Sequence, residues 1–342
     1  MRLATAIGLC AAACAGLFAL AAAPSKQPDP GSGEAKAAPP KEPAATVLHF
    51  VPKARPNSTY TFDGRFDVVS RDISFEAPDA YKDGFAFWAG RMKGQERSEV
   101  YEMITITREA DASGKVPFRR LIPKFNLEFE EQGRPFAALG TLEKDIVTMI
   151  WEGTLDPSGN LSEKRKVGGK DNPEIDSLAI AEMDRIFPSV EGARDIRIGE
   201  GFKEDRVVPL STKLNIAGLE EVTFKVTREY TLKSLANGLA TFDVKTTYAN
   251  DPGFKPKAEN TSCSIHGGSG GGAGEAVFEV NRGVFLRTRM PSSMRIDIEA
   301  PLRPLPGHPE TDRPSMGKSH IDLDIVLFGE QTVKRVWGED QD

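Results

Sequence analysis

Residues 263–290 read CSIHGGSGGGAGEAVFEVNRGVFLRTRM. The stretch opens on a glycine run, with Gly267, Gly268, Gly270, Gly271, Gly272 and Gly274. Ala276, Phe278 and Val280 then alternate with polar residues. Asn281-Arg282-Gly283 can turn the chain, and Val284-Phe285-Leu286 begins a return. Period-2 alternation on both sides of a Gly-containing turn is the signature of a β-hairpin. The reading is a hairpin with Phe278 on its apolar face, entered through a glycine loop that carries almost no side chains. The glycines suit either a mobile connection or the close approach of two backbones.

The same run satisfies two sharper patterns. Gly267-Gly268-Ser269-Gly270-Gly271 fits G-x-S-x-G, with Ser269 as the nucleophile. Gly268 to Ala273 fits a loose dinucleotide-binding G-x-G-x-x-A. Both motifs need a strand before and a helix after. A strand-like run rich in Val and Phe follows here, so the structural reading of the glycines is preferred.

Composition narrows the function classes. A formal charge of −6, with no basic cluster interleaved with aromatics, argues against nucleic-acid binding, which needs a positive footprint. Residues 1–23 read as a signal peptide: Arg2 precedes an apolar stretch from Ile7 to Leu20, and Ala19-Leu20-Ala21 fits a cleavage site. Cys14 raises an alternative, a lipid-anchored chain acylated there, which would associate with a membrane. The small Ala11 three positions before it, and the apolar sequence after it, weigh against acylation. With Cys10 and Cys14 removed, Cys263 is the one cysteine left. It is expected to be a free, buried thiol rather than half of an internal disulfide. Residues 24–46 are rich in Pro, Ala, Lys and Gly. They cannot bury enough apolar surface to offset their ordering entropy and read as a disordered spacer.

From Val47 the pattern is that of strands. Tyr60 and Phe62, then Phe66 and Val68, flank Asp63-Gly64-Arg65. Phe125, Leu127 and Phe129 alternate with polar residues, as a strand with one wet face should. Ile146 to Trp151 is a more continuous apolar run, and Asp156-Pro157-Ser158-Gly159 is a turn. One amphipathic helix is expected after Asn172-Pro173, with Ile175, Leu178, Met183, Ile186 and Phe187 on one face and Pro188 ending it. The second half returns to strands: Val222 to Leu232, Phe242 and Val244 after Asn237-Gly238, Met294 to Ile298, and Ile321 to Leu327. Residues 300–318, rich in proline, read as a long loop.

Candidate chemistry is sparse. His320, Asp322 and Asp324 would share one face of the last strand, their residues spaced about 6.5 to 7 Å apart. One imidazole and two carboxylates could contribute to a metal site. The plainer account is the wet face of a strand whose other face is Ile and Leu. The acidic pairs Glu130-Glu131 and Glu220-Glu221 would diverge to opposite faces of a strand.

A resemblance enters through Asp156-Pro157-Ser158-Gly159, the helix ending at Phe187-Pro188, Ile198-Gly199-Glu200-Gly201, and the glycine stretch with its Phe-bearing hairpin. In this order, over Tyr60 to Ile298, the chain resembles a family of uncharacterised secreted or envelope-associated bacterial β-rich proteins. It departs from that pattern at Phe202, near which no Trp follows. The resemblance implies export and a β-rich fold, and it brings no catalytic residues.

The fold expected is mainly antiparallel β with minor α: one large or two joined β-meander halves, and one covering helix. The organisation expected is a signal peptide (1–23), a spacer (24–46), an N-terminal β half (47–168) and a helix with a C-terminal β half (169–342). The function expected is that of an exported, non-catalytic protein of the periplasm, the extracellular space or the cell envelope. No cofactor, metal or nucleic acid is expected. An apolar small molecule or an envelope protein is the expected partner, because 19 Phe against 5 Tyr crowd the alternating faces. The rivals are a hydrolase using Ser269 or the His320/Asp322/Asp324 face, and a structural or assembly component of the envelope.

Overall fold

The computed structural model describes residues 47–76, 78–79, 93–94, 96–131, 134–135, 140–169, 192–210, 222–250, 264–301 and 316–335. The signal peptide, the spacer, the helix expected after Asn172 and Cys263 lie outside the described residues.

Almost everything described is antiparallel β. The strands are β1 (Val47–Phe50), β2 (Ser58–Glu76), β3 (Glu96–Thr107), β4 (Val116–Glu131), β5 (Arg134–Pro135), β6 (Ile150–Leu155) and β7 (Leu161–Gly168). They continue as β8 (Arg194–Arg197), β9 (Gly201–Leu210), β10 (Val222–Ala236), β11 (Leu239–Asn250), β12 (Ser264–Glu279), β13 (Val284–Pro301) and β14 (Met316–Arg335). A short helix, α1 (Gly140–Ile146), lies between β5 and β6. Twelve strands form one sheet in the order β7-β6-β4-β3-β2-β14-β13-β12-β11-β10-β9, with β5 on β4. The last strand pairs with the first long one, Leu327 opposite Phe66. That pairing joins an N-terminal arm, β2 to β7, to a C-terminal arm, β9 to β14. A separate ribbon pairs β1 with β8, Leu48 opposite Ile196.

Alternation decides which way the sheet curls. On β2, Ser58, Tyr60, Phe62, Gly64, Phe66, Val68 and Ser70 are buried in an unbroken period of two. Asp63-Gly64-Arg65 is therefore no break. Gly64 occupies an inner position, where a Cβ would lie 2.3 Å from the ring of Tyr101. The turns at Asp156–Gly159, Asn237-Gly238 and Asn281–Gly283 are as expected. Asn237 and Gly238 both hold positive φ, 53° and 71°, the backbone a two-residue hairpin requires.

The inner faces fold onto themselves. In the N-terminal arm, Phe62, Tyr101, Met103, Ile122 and Trp151 pack together, covered by Ile146 at the end of α1 and by Met149. The sequence reading took Ile146 to Trp151 as a continuous apolar run among the strands. The chain instead leaves the helix at Ile146 and enters β6 only at Ile150. In the C-terminal arm, Tyr230 on β10 and Phe285 on β13 have ring centroids 6.3 Å apart. Two strands lie between them, a separation of about 14 Å in a flat sheet, so this arm is strongly curled. Phe50 of β1 sits in the curl, within 4.6 to 6.1 Å of the rings of Phe278, Phe202, Phe242 and Phe285. Phe50, Phe242 and Phe278 are fully buried.

The glycine run corrects the sequence reading. It is no loop, but the middle of β12. Gly270 pairs with Tyr248 on one side and Met294 on the other. A Cβ at Gly270, Gly272 or Gly274 would lie 2.1, 2.0 or 2.2 Å from the carbonyl oxygens of Ser293, Pro291 and Arg289. No side chain fits there, so the second of the two structural readings, close backbone approach, is the one the fold uses. The ladder between β12 and β13 passes from Gly271–Ser293 directly to Glu275–Arg289. Pro291, which has no N–H, lies in that gap. The expected 300–318 loop is also shorter: β13 runs to Pro301, and β14 starts opposite it at Met316.

Candidate functional site

The residues singled out from sequence come to lie on the outer face. Ser269 is exposed and sits opposite Arg295, which is itself opposite Asp322 on β14. Two strand spacings, about 10 Å, separate Ser269 from Asp322, and His320 lies a further row along. His320 Nδ1 bonds Asp297 at 2.5 Å. Asp324 accepts from Ser293 Oγ at 2.8 Å and pairs with Arg71. Among the described residues, no group of three or more His, Cys, Asp or Glu is arranged to hold a metal ion. The acidic face is thus a lattice of neighbouring ion pairs, and Ser269 and His320 are not brought within hydrogen-bond reach.

A different cluster emerges on the inner face of the C-terminal arm, and it was not anticipated. Phe202, Glu204 and Arg206 point inward from β9, Val226, Arg228, Tyr230 and Leu232 from β10, and Thr246 and Tyr248 from β11. Arg206 Nε pairs with Glu204 Oε1. Tyr230 OH donates to Glu204 Oε2 over 3.4 Å, and Arg228 Nη1 stands 4.0 Å from the same oxygen. Tyr248 meets Ser292 of β13 at 3.1 Å, reaching across β12. That reach exists because the inner positions of β12 between them are glycine.

Arg228 is the unusual member. Its side chain is 6% exposed, and its Nε and Nη1 have no hydrogen-bond partner. Burial opposes its charge, but Tyr230, Glu204 and Tyr248 hold it protonated above its ordinary value. Burial pushes the Tyr230 phenol up, so that hydroxyl stays protonated and available as a donor. The cluster sets two guanidiniums, those of Arg206 and Arg228, beside the Glu204 carboxylate. It reaches towards solvent through Arg206, whose side chain is 19% exposed.

The sequence held a signal for it. Arg228 occupies the inner phase of Val226, Tyr230 and Leu232, and Glu204 that of Phe202. A charge in the apolar phase of a strand is the readable mark of a buried polar site.

The outer face is the reverse. Asp63, Arg71, Arg287, Arg289, Arg295, Lys233, Asp243 and Lys245 all point outward and are exposed. A membrane-spanning barrel presents an apolar band to lipid and a polar lumen. These strands present the opposite polarity. No described helix is long and apolar enough to cross a membrane.

No protein-family model matches the chain, and no curated protein matches it. Among solved structures, it is similar to the outer membrane protein OprG from Pseudomonas aeruginosa at 10% identity and a TM-score of 0.24, covering 83% of this chain and 98% of that one. The β-barrel of the secretin InvG from Salmonella gives 11% identity and a TM-score of 0.17, covering 84% and 66%. OccK5 from Pseudomonas aeruginosa gives 5% and 0.20, covering 81% and 98%. Scores of this size establish neither a shared fold nor a shared function.

Proposed function

We propose that this chain is an exported, non-catalytic binding protein of the cell envelope or extracellular space, and that it holds an apolar ligand against the inner face of its curled sheet. The observation that carries the reading is the division of the sheet into a largely apolar inner face and a charged outer one. The signal expected over residues 1–23 supports export. Met290, Met294, Leu323, Ile325 and Val68 on adjacent strands β13, β14 and β2 are buried apolar side chains of the inner face, a lining of the character that hydrocarbon shares. The candidate hydrolase groups lie apart on the outer face.

A neutral naphthylamine fluorophore tests this. Titrated into the folded protein, its emission should rise and blue-shift, saturate near one equivalent and be displaced by long-chain lipids. A signal that never saturates, or one that grows on unfolding, would remove the proposal. A hydrolytic activity lost in Ser269→Ala would favour the enzyme rival.

A further inference from the structure

We infer that the ribbon of β1 and β8 is a lid on the C-terminal arm, and that an uncharged aromatic group reaches the inner face by taking the place of the Phe50 ring. The inference rests on the binding reading above and adds the way in and the chemistry of the group that enters.

The inner face of this arm is full. Leu232, Phe242, Ala276 and Phe278 are completely buried, so a ligand enters only when a side chain leaves. The ribbon is the part that can leave most simply. Its strands form a sheet of their own, with register from Val47–Arg197 to Phe50–Arg194. Swung away as a unit, it keeps that ladder and strands no backbone group in the interior. Its two faces are unlike. Leu48, Phe50 and Ile196 are buried, whereas His49, Asp195 and Arg197 are exposed, and His49 Nδ1 meets Asp195 at 2.7 Å. Opening costs the burial of the three apolar side chains, and an apolar group arriving in their place offsets that cost. Backbone ties to the large sheet lie just beyond the ribbon. Lys53 N donates to Gly283 O at 2.9 Å, and Gly199 N to Leu232 O at 2.8 Å. Val51 and Pro52 separate β1 from the first tie, and Gly192 and Gly199 flank β8. Both glycines hold positive φ, 74° and 89°, and a Cβ at either would meet nothing within 4 Å. Residues at the ends of an element are where a hinge absorbs its changes in φ and ψ. The seat that Phe50 vacates is made of rings. Phe278 stands 4.6 Å from it and Phe202 5.2 Å, with Phe242 and Phe285 at 5.9 and 6.1 Å. Their faces and edges suit another aromatic group. A charged group would lose its water there and gain no opposite charge from these rings.

The experiment titrates the neutral naphthylamine probe, and its negatively charged anilinonaphthalene sulfonate analogue, into the full mature protein and into Ile196→Ala. Closing the lid competes with the ligand, so the apparent affinity is the intrinsic one reduced by the fraction of open lid. Ile196→Ala weakens the lid's packing and leaves the rings of the seat in place. It should therefore bind the neutral probe more tightly, by about tenfold or more, the scale of a large-to-small change at a buried site. In both proteins the neutral probe should bind more tightly than the sulfonate. A third variant, Ile196→Cys, reports the motion. Its labelling by N-ethylmaleimide, read by the mass of the peptide that carries residue 196, should be slow alone and several-fold faster when the probe is saturating. Saturable binding whose affinity is unchanged or lower in Ile196→Ala would overturn the lid while leaving the apolar reading intact. Labelling at residue 196 that the probe leaves unchanged or slows would overturn it too. A sulfonate bound as tightly as the neutral probe would overturn the uncharged seat. No saturable binding by the wild type would remove the binding reading and the lid with it. If Ile196→Ala does not fold, Ile196→Val makes the same comparison, with a smaller rise expected and an unchanged or lower affinity again overturning the lid.

Discussion

Each arm of the sheet buries an arginine, and the two are treated differently. In the N-terminal arm, Arg120 donates from Nε to Thr105 Oγ1 at 2.8 Å, and its guanidinium lies 5.1 Å from the ring of Phe118. In the C-terminal arm, Arg228 has Nε and Nη1 unsatisfied. The first is a settled piece of architecture, whose partners are supplied by the adjacent strand and by its own. The second has two unpaired nitrogens although Glu204, Thr246 and Ser292 are buried in the same arm. Proteins keep such features where function requires them, at some expense of stability.

The largest way to break the comparison is to empty the C-terminal curl. Phe50 is fully buried and touches four rings. Phe50→Ala should cost about 3 to 5 kcal/mol, a large part of a typical folding free energy. The ribbon of β1 and β8 should then become sensitive to protease while α1 keeps its protection. A denaturation curve with proteolytic mapping checks both. A cost below about 1 kcal/mol would mean that the ribbon is an accessory to the core. The smallest expected effect is that of Ser269→Ala on the outer face, within about 0.5 kcal/mol of the wild type in stability. A substantial loss there, read by the same curves, would show that the outer face of β12 takes part in structure after all.

How much of this was legible follows from phase. The antiparallel character, the hairpin at Asn281–Gly283, the turn at Asn237-Gly238 and the burial of Phe278 all follow from local alternation and turn chemistry. The glycine run misled because glycine carries no hydrophobicity, so it reads as loop. Yet Gly268, Gly270, Gly272 and Gly274 are in phase with Ala276 and Phe278, as Gly64 is with Phe62 and Phe66. Unbroken phase through a glycine was the available sign of one continuous strand. The curl itself was not legible. It depends on β12 lying against β13 too closely for any Cβ, which no local pattern records. The pairing of Leu48 with Ile196, like that of β2 with β14, joins distant parts of the chain, and only the assembled interior selects it. The Arg228 cluster was half legible: its phase marked it, but that its donors go unmet depends on where Glu204, Arg206 and the tyrosines stand.

The most direct test of the contrast between the arms is a paired measurement on ligand-free protein, the stability of Arg120→Met beside that of Arg228→Met. Arg120→Met loses a charge-assisted bond to Thr105 and leaves a buried hydroxyl unpaired, so it should be less stable than the wild type by about 1.5 to 3 kcal/mol. Arg228→Met removes a poorly satisfied charge and leaves Glu204 paired with Arg206, so it should match or exceed the wild type. Equal losses in the two variants would contradict the account, because Arg228 would then be a structural arginine like its counterpart.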